Sequence, residues 1–426
     1  MDNVVPSTSS ARPPTTESSL RRSITRAGWL ALAAAGTAWF FEVFDAALLS
    51  LTIPALAHDL STSKAALGTV ATAQAVTMVV GGIAGGALAD RWGRVRALSC
   101  AMIVYAVFTG LAATSSSVIE FGVLRALAGL GMGATWSAGS ALVAETWPAR
   151  HRAKGGAIMQ AGLPLGSMTA IGVATLVTHL HDGLANGGWR WLYVLGALPL
   201  VFAVLVWILV PESPLWQRNR GPARGPRGFR ALVADRQWRP VLTALIFLFF
   251  VQYVYWAIST FLPTFLTEVD GLTFASGASR LVLQQLGALV GFAFFALLAD
   301  RFGRRPTFIG YLVVAAIATA LLVTSVHPVV VPIASFLAGV GVSGVFAGAG
   351  PWVAEMTYRS PVRALAMGTA YNGGRLGGAL APAVVGLLAT STTGFRIGLG
   401  TAVLAAVIAV VIMALTPETR GRELSS

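Results

Sequence analysis

Twelve runs of roughly 20 or more predominantly apolar residues, joined by short polar connections, dominate this chain, and a run of that length is what a helix needs to cross a bilayer core of about 30 Å. They lie near 28–56, 65–89, 97–114, 118–144, 154–178 and 189–210, then near 240–266, 277–299, 307–325, 329–354, 364–389 and 394–415. The bilayer core offers no water to backbone N–H and C=O groups, so such runs must bond internally, as helices. The fold class is therefore an all-α membrane protein. Composition agrees: 55% of the 426 residues are hydrophobic and 11% charged, far from the balance of a soluble domain. The first apolar run is too long for a signal-peptide core, and residues 1–27, rich in Ser, Thr, Pro and Arg, are expected to form a disordered tail.

A formal net charge of +13 would suggest a nucleic-acid partner in a soluble protein. Here the basic residues sort by side instead. With both termini inside, most of the 30 lysines and arginines fall on the cytoplasmic side, including Arg26, Arg91, Arg94, Arg152, Arg304, Arg363 and the arginines of the 211–239 connection. Lys64, Arg190, Arg280 and Arg396 fall outside, and Arg125 and Arg375 lie within spans. The positive-inside rule thus places a multi-pass protein in an inner membrane with cytoplasmic termini and no nucleic acid. The Arg-rich connection reads as a topology signal.

The segment GALADRWGRVRAL at Gly86–Leu98 returns 210 positions later as ALLADRFGRRPTF at Ala296–Phe308, and the same offset carries Gln74 onto Gln284 and Glu145 onto Glu355. One six-helix unit was duplicated. The expected division is a tail at 1–27, a first six-helix bundle at 28–210, a linker at 211–239, a second bundle at 240–416 and a tail at 417–426. Parallel repeats of this kind build alternating access around a midplane site.

GALADRWGRVRAL resembles the signature between the second and third spans of the major facilitator superfamily, and its degenerate copy sits where that family has one, between spans eight and nine. RALAGLGMGA from Arg125, AETWPARHRAKG from Ala144, PESPLW from Pro211 and PETRG from Pro417 are similar to the sugar-porter-like branch. Two acids in the first span, Glu42 and Asp45, with Arg125 in the fourth and Arg375 in the eleventh, are most similar to its aromatic acid:proton symporters. The resemblance implies the major facilitator fold, with twelve spans in two pseudo-symmetric bundles, and a monomer.

A charge at the centre of a membrane helix costs on the order of 3 kcal/mol, so four of them must face one another or a wet cavity. Glu42 and Asp45 lie three residues apart, on one helix face, and balance Arg125 and Arg375 in number. The expectation is that Arg375 holds a substrate carboxylate as a bidentate pair and that Arg125 holds one acid charged. Protonation of Glu42 or Asp45 would then couple a proton to the anion. Gln74 and Gln284 either line the cavity or bond between helices, and Tyr255 and Trp256 either stack on a substrate ring or pack.

Asp90, Arg94, Asp300 and Arg304 stand at cytoplasmic span ends, where ion pairs can latch one conformation. Glu145 and Glu355 end spans four and ten close in sequence to Arg152 and Arg363, and are expected to complete those latches. The doubled small-residue faces at Gly81–Gly86 and Gly373–Gly378 suit close helix contact, and the family resemblance implies that their spans meet at the interface between halves.

No phosphate loop, metal cluster or paired nucleophile and base is present, which excludes an ATP motor and an enzyme and calls for no cofactor. All five histidines fall in loops or span ends. Three transporter classes remain: a proton:organic-anion symporter, a neutral-solute porter such as a sugar carrier, and a drug:proton antiporter. The two arginines within spans favour an anion, since a sugar leaves them idle and a cation is repelled. The stretch QAGLPLGS at Gln160–Ser167 lacks the Gly-Pro pair of antiporters. A transporter-like sensor shares every one of these features.

Overall fold

The computed structural model describes residues 24–181, 183–185, 187–218, 229–234, 238–268, 274–325, 327–357, 362–389 and 391–424, and among these every regular element is helical. Residues 1–23 of the expected tail and 219–228 and 235–237 of the expected linker thus lie outside the described residues. Span 1 is Arg26–Asp59, span 2 Lys64–Trp92, span 3 Arg94–Ala112 and span 4 Val118–Thr146. Span 5 is broken into Arg152–Gln160 and Gly162–Leu180, and span 6 into Gly188–Leu195 and Pro199–Leu209. Both breaks have the same cause. Pro164 and Pro199 lack an N–H and crowd the carbonyl four residues back, which belongs to Gln160 and Leu195 respectively.

Span 7 is Trp238–Glu268, span 8 Phe274–Phe302 and span 9 Arg304–Thr324. Span 10 runs from Val330–Ala338 through a π turn at Gly339–Ser343 to Phe346–Met356, and Arg363–Leu388 and Thr392–Leu415 form spans 11 and 12. Eleven of these are long and apolar enough to cross a membrane on those grounds alone. Span 11 is the remaining one. It is 26 residues long but carries Asn372, Arg375 and four closely spaced glycines.

Glycine pairs set the closest helix approaches. A Cβ on Gly81 or Gly85 would collide with Leu130 or Ala134 of span 4, and one on Gly133 with Met78 of span 2, so these spans touch backbone to backbone. Gly82 and Gly86 instead meet Asn372, Ala364 and Leu365 of span 11, across the two halves. The span 11 glycines differ from the sequence expectation. Gly373, Gly374, Gly377 and Gly378 pack on Leu245, Leu248, Phe249 and Trp256 of span 7, within their own half.

Candidate functional site

At the basic end of the bundle the two halves are clamped by buried ion pairs. Arg94 reaches Glu145 with Nε and Nη2 at 3.0 and 2.9 Å and Asp90 at 2.9 Å. From the other half, Arg363 Nη1 donates to Glu145 at 2.7 Å, and Asp90 accepts the Ala364 and Leu365 N–H groups at 3.1 and 2.8 Å, capping span 11. The duplicate cluster has Arg304 on Glu355 at 3.2 and 2.9 Å and on Asp300 at 2.9 Å, with Arg152 Nη1 on Glu355 at 3.0 Å.

Glu145 is close in sequence to Arg152 and Glu355 to Arg363, and all four were expected at the latches. The structure pairs them crosswise, so that each glutamate binds an arginine of the opposite half. Two further carboxylates, missed in the sequence beyond the echo of PES in PET, complete the clamps. Glu212 accepts Arg94 N–H at 2.8 Å, and Glu418 accepts the N–H groups of Arg304 and Arg305 at 2.8 and 3.0 Å, so each caps the helix after its Gly-Arg turn. Gly93 and Gly303 both make that turn at φ 114°, a region only glycine enters freely. Burial raises the pKa of Glu418, beyond the end of span 12, but the N–H groups of Arg304, Arg420, Arg305 and Thr419 outweigh it and hold the carboxyl below its ordinary 4.5.

The four charged residues within the spans form two pairs of different character. Asp45 and Arg125 are wholly buried inside the first half: Nη1 lies 2.9 and 3.1 Å from the two carboxylate oxygens. Thr109 Oγ1 donates to Asp45 at 3.1 Å, Arg125 Nε donates to Gln74 Oε1 at 3.2 Å, and the guanidinium lies over the Tyr193 ring at 5.4 Å. Both carboxylate oxygens of Asp45 thereby have partners. Thr109 and Tyr193 gave no sequence signal, since such residues are cheap and common in apolar spans.

Glu42 and Arg375 bridge the halves, with Nη2 2.8 Å from Glu42 Oε1. The other oxygen of Glu42 is bonded by the Thr135 hydroxyl, which also lies 2.6 Å from the Met132 carbonyl. One hydroxyl proton cannot serve both acceptors. Arg375 retains some exposure, at 17% of its side chain, while its Nη1 is buried with no hydrogen-bond partner among the described residues. Its guanidinium lies 5.6 Å from the centre of the Tyr371 ring.

The remaining expected site residues are not all gathered here. Gln74 belongs to the Arg125 cluster, its amide nitrogen 3.3 Å from the Met132 sulfur. Gln284 is buried beside Ser259, at 3.4 Å, and Tyr255 stands edge-on to Phe346 at 5.4 Å. Trp256 is 45% exposed and covers Gly378.

The Major Facilitator Superfamily profile matches residues 35–295 and 278–426. The chain belongs to the major facilitator superfamily. It is a transporter and not an enzyme, and its curated relatives carry transport names. It is 34% identical over 387 residues to the "Probable 4-methylmuconolactone transporter" of Cupriavidus pinatubonensis, covering 90% of this chain and 89% of the relative. It is 30% identical over 399 residues to the gentisate transporter of Corynebacterium glutamicum, covering 91% and 88%. The proton:xylose symporter XylE bound to 6-bromo-6-deoxy-D-glucose has the same fold, with TM-score 0.79 at 19% identity, covering 94% of this chain and 98% of that one. The major facilitator fold therefore places the Glu42–Arg375 bridge between its two six-helix bundles.

Proposed function

We propose that this protein carries a small organic carboxylate together with a proton across the inner membrane by alternating access, with the basic end and both termini in the cytoplasm. The observation that carries the reading is Arg375: one guanidinium nitrogen bonds Glu42 across the halves, and another is buried with no partner among the described residues. A substrate carboxylate bound at Nη1, and then at Nη2 in place of Glu42, would form the bidentate pair for which arginine is suited.

Two carboxylates on one guanidinium leave an excess negative charge in a low-dielectric centre, and a proton on Glu42 removes it. The contacts of Glu42 suit that proton. A protonated Glu42 donates to Thr135 Oγ1, and Thr135 then donates to the Met132 carbonyl, so that each acceptor gains a donor. Asp45 has the opposite role in this reading. With Arg125 and Thr109 already bonded to it, it remains charged and fixes span 1. The relatives named for gentisate and 4-methylmuconolactone support an organic acid, and an aromatic monocarboxylate fits best. A neutral sugar would leave Arg375 Nη1 without an anion.

The test is gentisate binding to purified protein as a function of pH. Uptake of one proton with each anion weakens binding about tenfold per pH unit above the titration of Glu42. Glu42→Gln should bind with no such slope. A slope that survives Glu42→Gln, or that only Asp45→Asn removes, would reverse the two acids' roles.

A further inference from the structure

Beneath the Glu42–Arg375 bridge, on the basic side, two aromatic rings from opposite halves lie face to face. Trp136 of span 4 and Tyr371 of span 11 stack at 3.6 Å between ring centres and 12° between planes. Their relative exposures are 1% and 3%. Gln160, where span 5 breaks, braces the stack from one side: its Oε1 accepts the Trp136 indole N–H at 3.1 Å. Gln160 Nε2 is buried with no partner among the described residues. A buried amide held by one end only is costly, and here it marks a contact fit for one arrangement of the halves rather than a settled core.

The depths agree. At about 1.5 Å per residue, Tyr371 stands roughly 12 Å from Arg363, Gln160 roughly 12 Å from Arg152 and Trp136 roughly 14 Å from Glu145, all measured from the clamped end. Arg375, at roughly 18 Å on the same scale, stands one helical turn further in. The three side chains thus form one layer between the charged centre and the clamps. Trp39 of span 1 and Phe346 of span 10 stand edge-on to Tyr371 at 6.2 and 6.3 Å and close the layer's sides. Below it a narrow space is lined by Trp136, Ser140, Gly156, Gln160, Gly350 and Pro351.

We propose that the Trp136–Tyr371 stack, with Gln160 bonded to Trp136, is the inner gate of the transport path, and that a substrate carboxylate on Arg375 loosens it through Tyr371. The gate closes the path above the clamps and parts when the halves separate at the basic end. Because Tyr371 is one turn from Arg375 and its ring faces the guanidinium, exchange of Glu42 for substrate at Arg375 changes what holds that ring. The second clause rests on the carboxylate reading of Arg375; the first does not.

The test uses Ser140→Cys, one turn below Trp136, in the full chain with Cys100→Ala, and measures its labelling by a membrane-impermeant maleimide added from the cytoplasmic side. Without any substrate, Trp136→Leu should speed labelling roughly 3- to 10-fold, the range that an aromatic pair converts to, while Trp136→Phe, which keeps an aromatic face and loses only the indole hydrogen bond to Gln160, should speed it less. Gln160→Met, which keeps the volume and removes the hydrogen bond to Trp136, should also speed it. Equal rates in Trp136→Leu and the parent, both folded by thermal unfolding, would overturn the gate. Gentisate should speed labelling in the parent. If it does not, while the leucine variant does, the carboxylate reading fails and the gate remains.

Discussion

Removing the Arg363 side chain tests how the basic end stays closed. Arg363 Nη1 donates to Glu145 at 2.7 Å, and both side chains are fully buried. Arg363→Met deletes this bond between halves but leaves Glu145 with its two bonds to Arg94, so no carboxylate is stranded without a counter-charge. The loss includes this hydrogen bond between charged groups, which by itself is worth about 1.5–3 kcal/mol. It is made only when the halves are closed at this end, so the closed-to-open ratio should fall roughly 10- to 150-fold. The second clamp, Arg152 on Glu355 at 3.0 Å, still resists opening. The assay is pulsed electron paramagnetic resonance with nitroxides at 92 and 302, two exposed positions at the ends of spans 2 and 8, in the Cys100→Ala background. A longer-distance population should grow in Arg363→Met. A distribution identical to the parent would show that Arg363 does not hold the halves together.

Asp45→Asn strands a buried Arg125 and should cost about 3–5 kcal/mol, read as lowered thermal stability, with Asp45→Asn/Arg125→Gln recovering part of it. Asp90→Ala, which removes the cap of span 11 and a partner of Arg94, should change transport rate more than gentisate affinity; the reverse would place Asp90 near the substrate. Glu418→Gln removes a carboxylate held below its ordinary 4.5. A depressed pKa stabilises above the unfolded value and loses that contribution only as pH falls through the folded one. The variant's effect on transport should therefore be constant between about pH 5 and 8; an effect that fades across that window would contradict the cap.

The fold was legible because its two signals are intense. A bilayer tolerates few alternatives to a run of apolar helix, and the Asp90 and Asp300 segments repeat at a fixed offset. Charges within spans were legible for the same reason, since Glu42, Asp45, Arg125 and Arg375 are costly anywhere but in pairs. The pairing itself was not. Glu145 and Arg363 are separated by 218 positions, and nothing local distinguishes that arginine from Arg152, seven residues away. Nor do Trp136, Gln160 and Tyr371 announce themselves: each is an ordinary residue of an apolar span, and only the docking of the two halves brings them into one layer. Whether Tyr255 and Trp256 stack on a substrate or pack was open in the sequence, and their surroundings differ: Tyr255 stands edge-on to Phe346, while Trp256 is 45% exposed over Gly378.

The most direct measurement is the internal pH of proteoliposomes containing the purified protein after gentisate is added outside, corrected by empty liposomes for passive entry of the protonated acid. Acidification that depends on the native protein and is lost in Arg375→Gln is the predicted result. No protein-dependent acidification with gentisate, or a response to xylose alone, would contradict proton-coupled carboxylate transport and leave the Glu42–Arg375 bridge a structural tie between the halves.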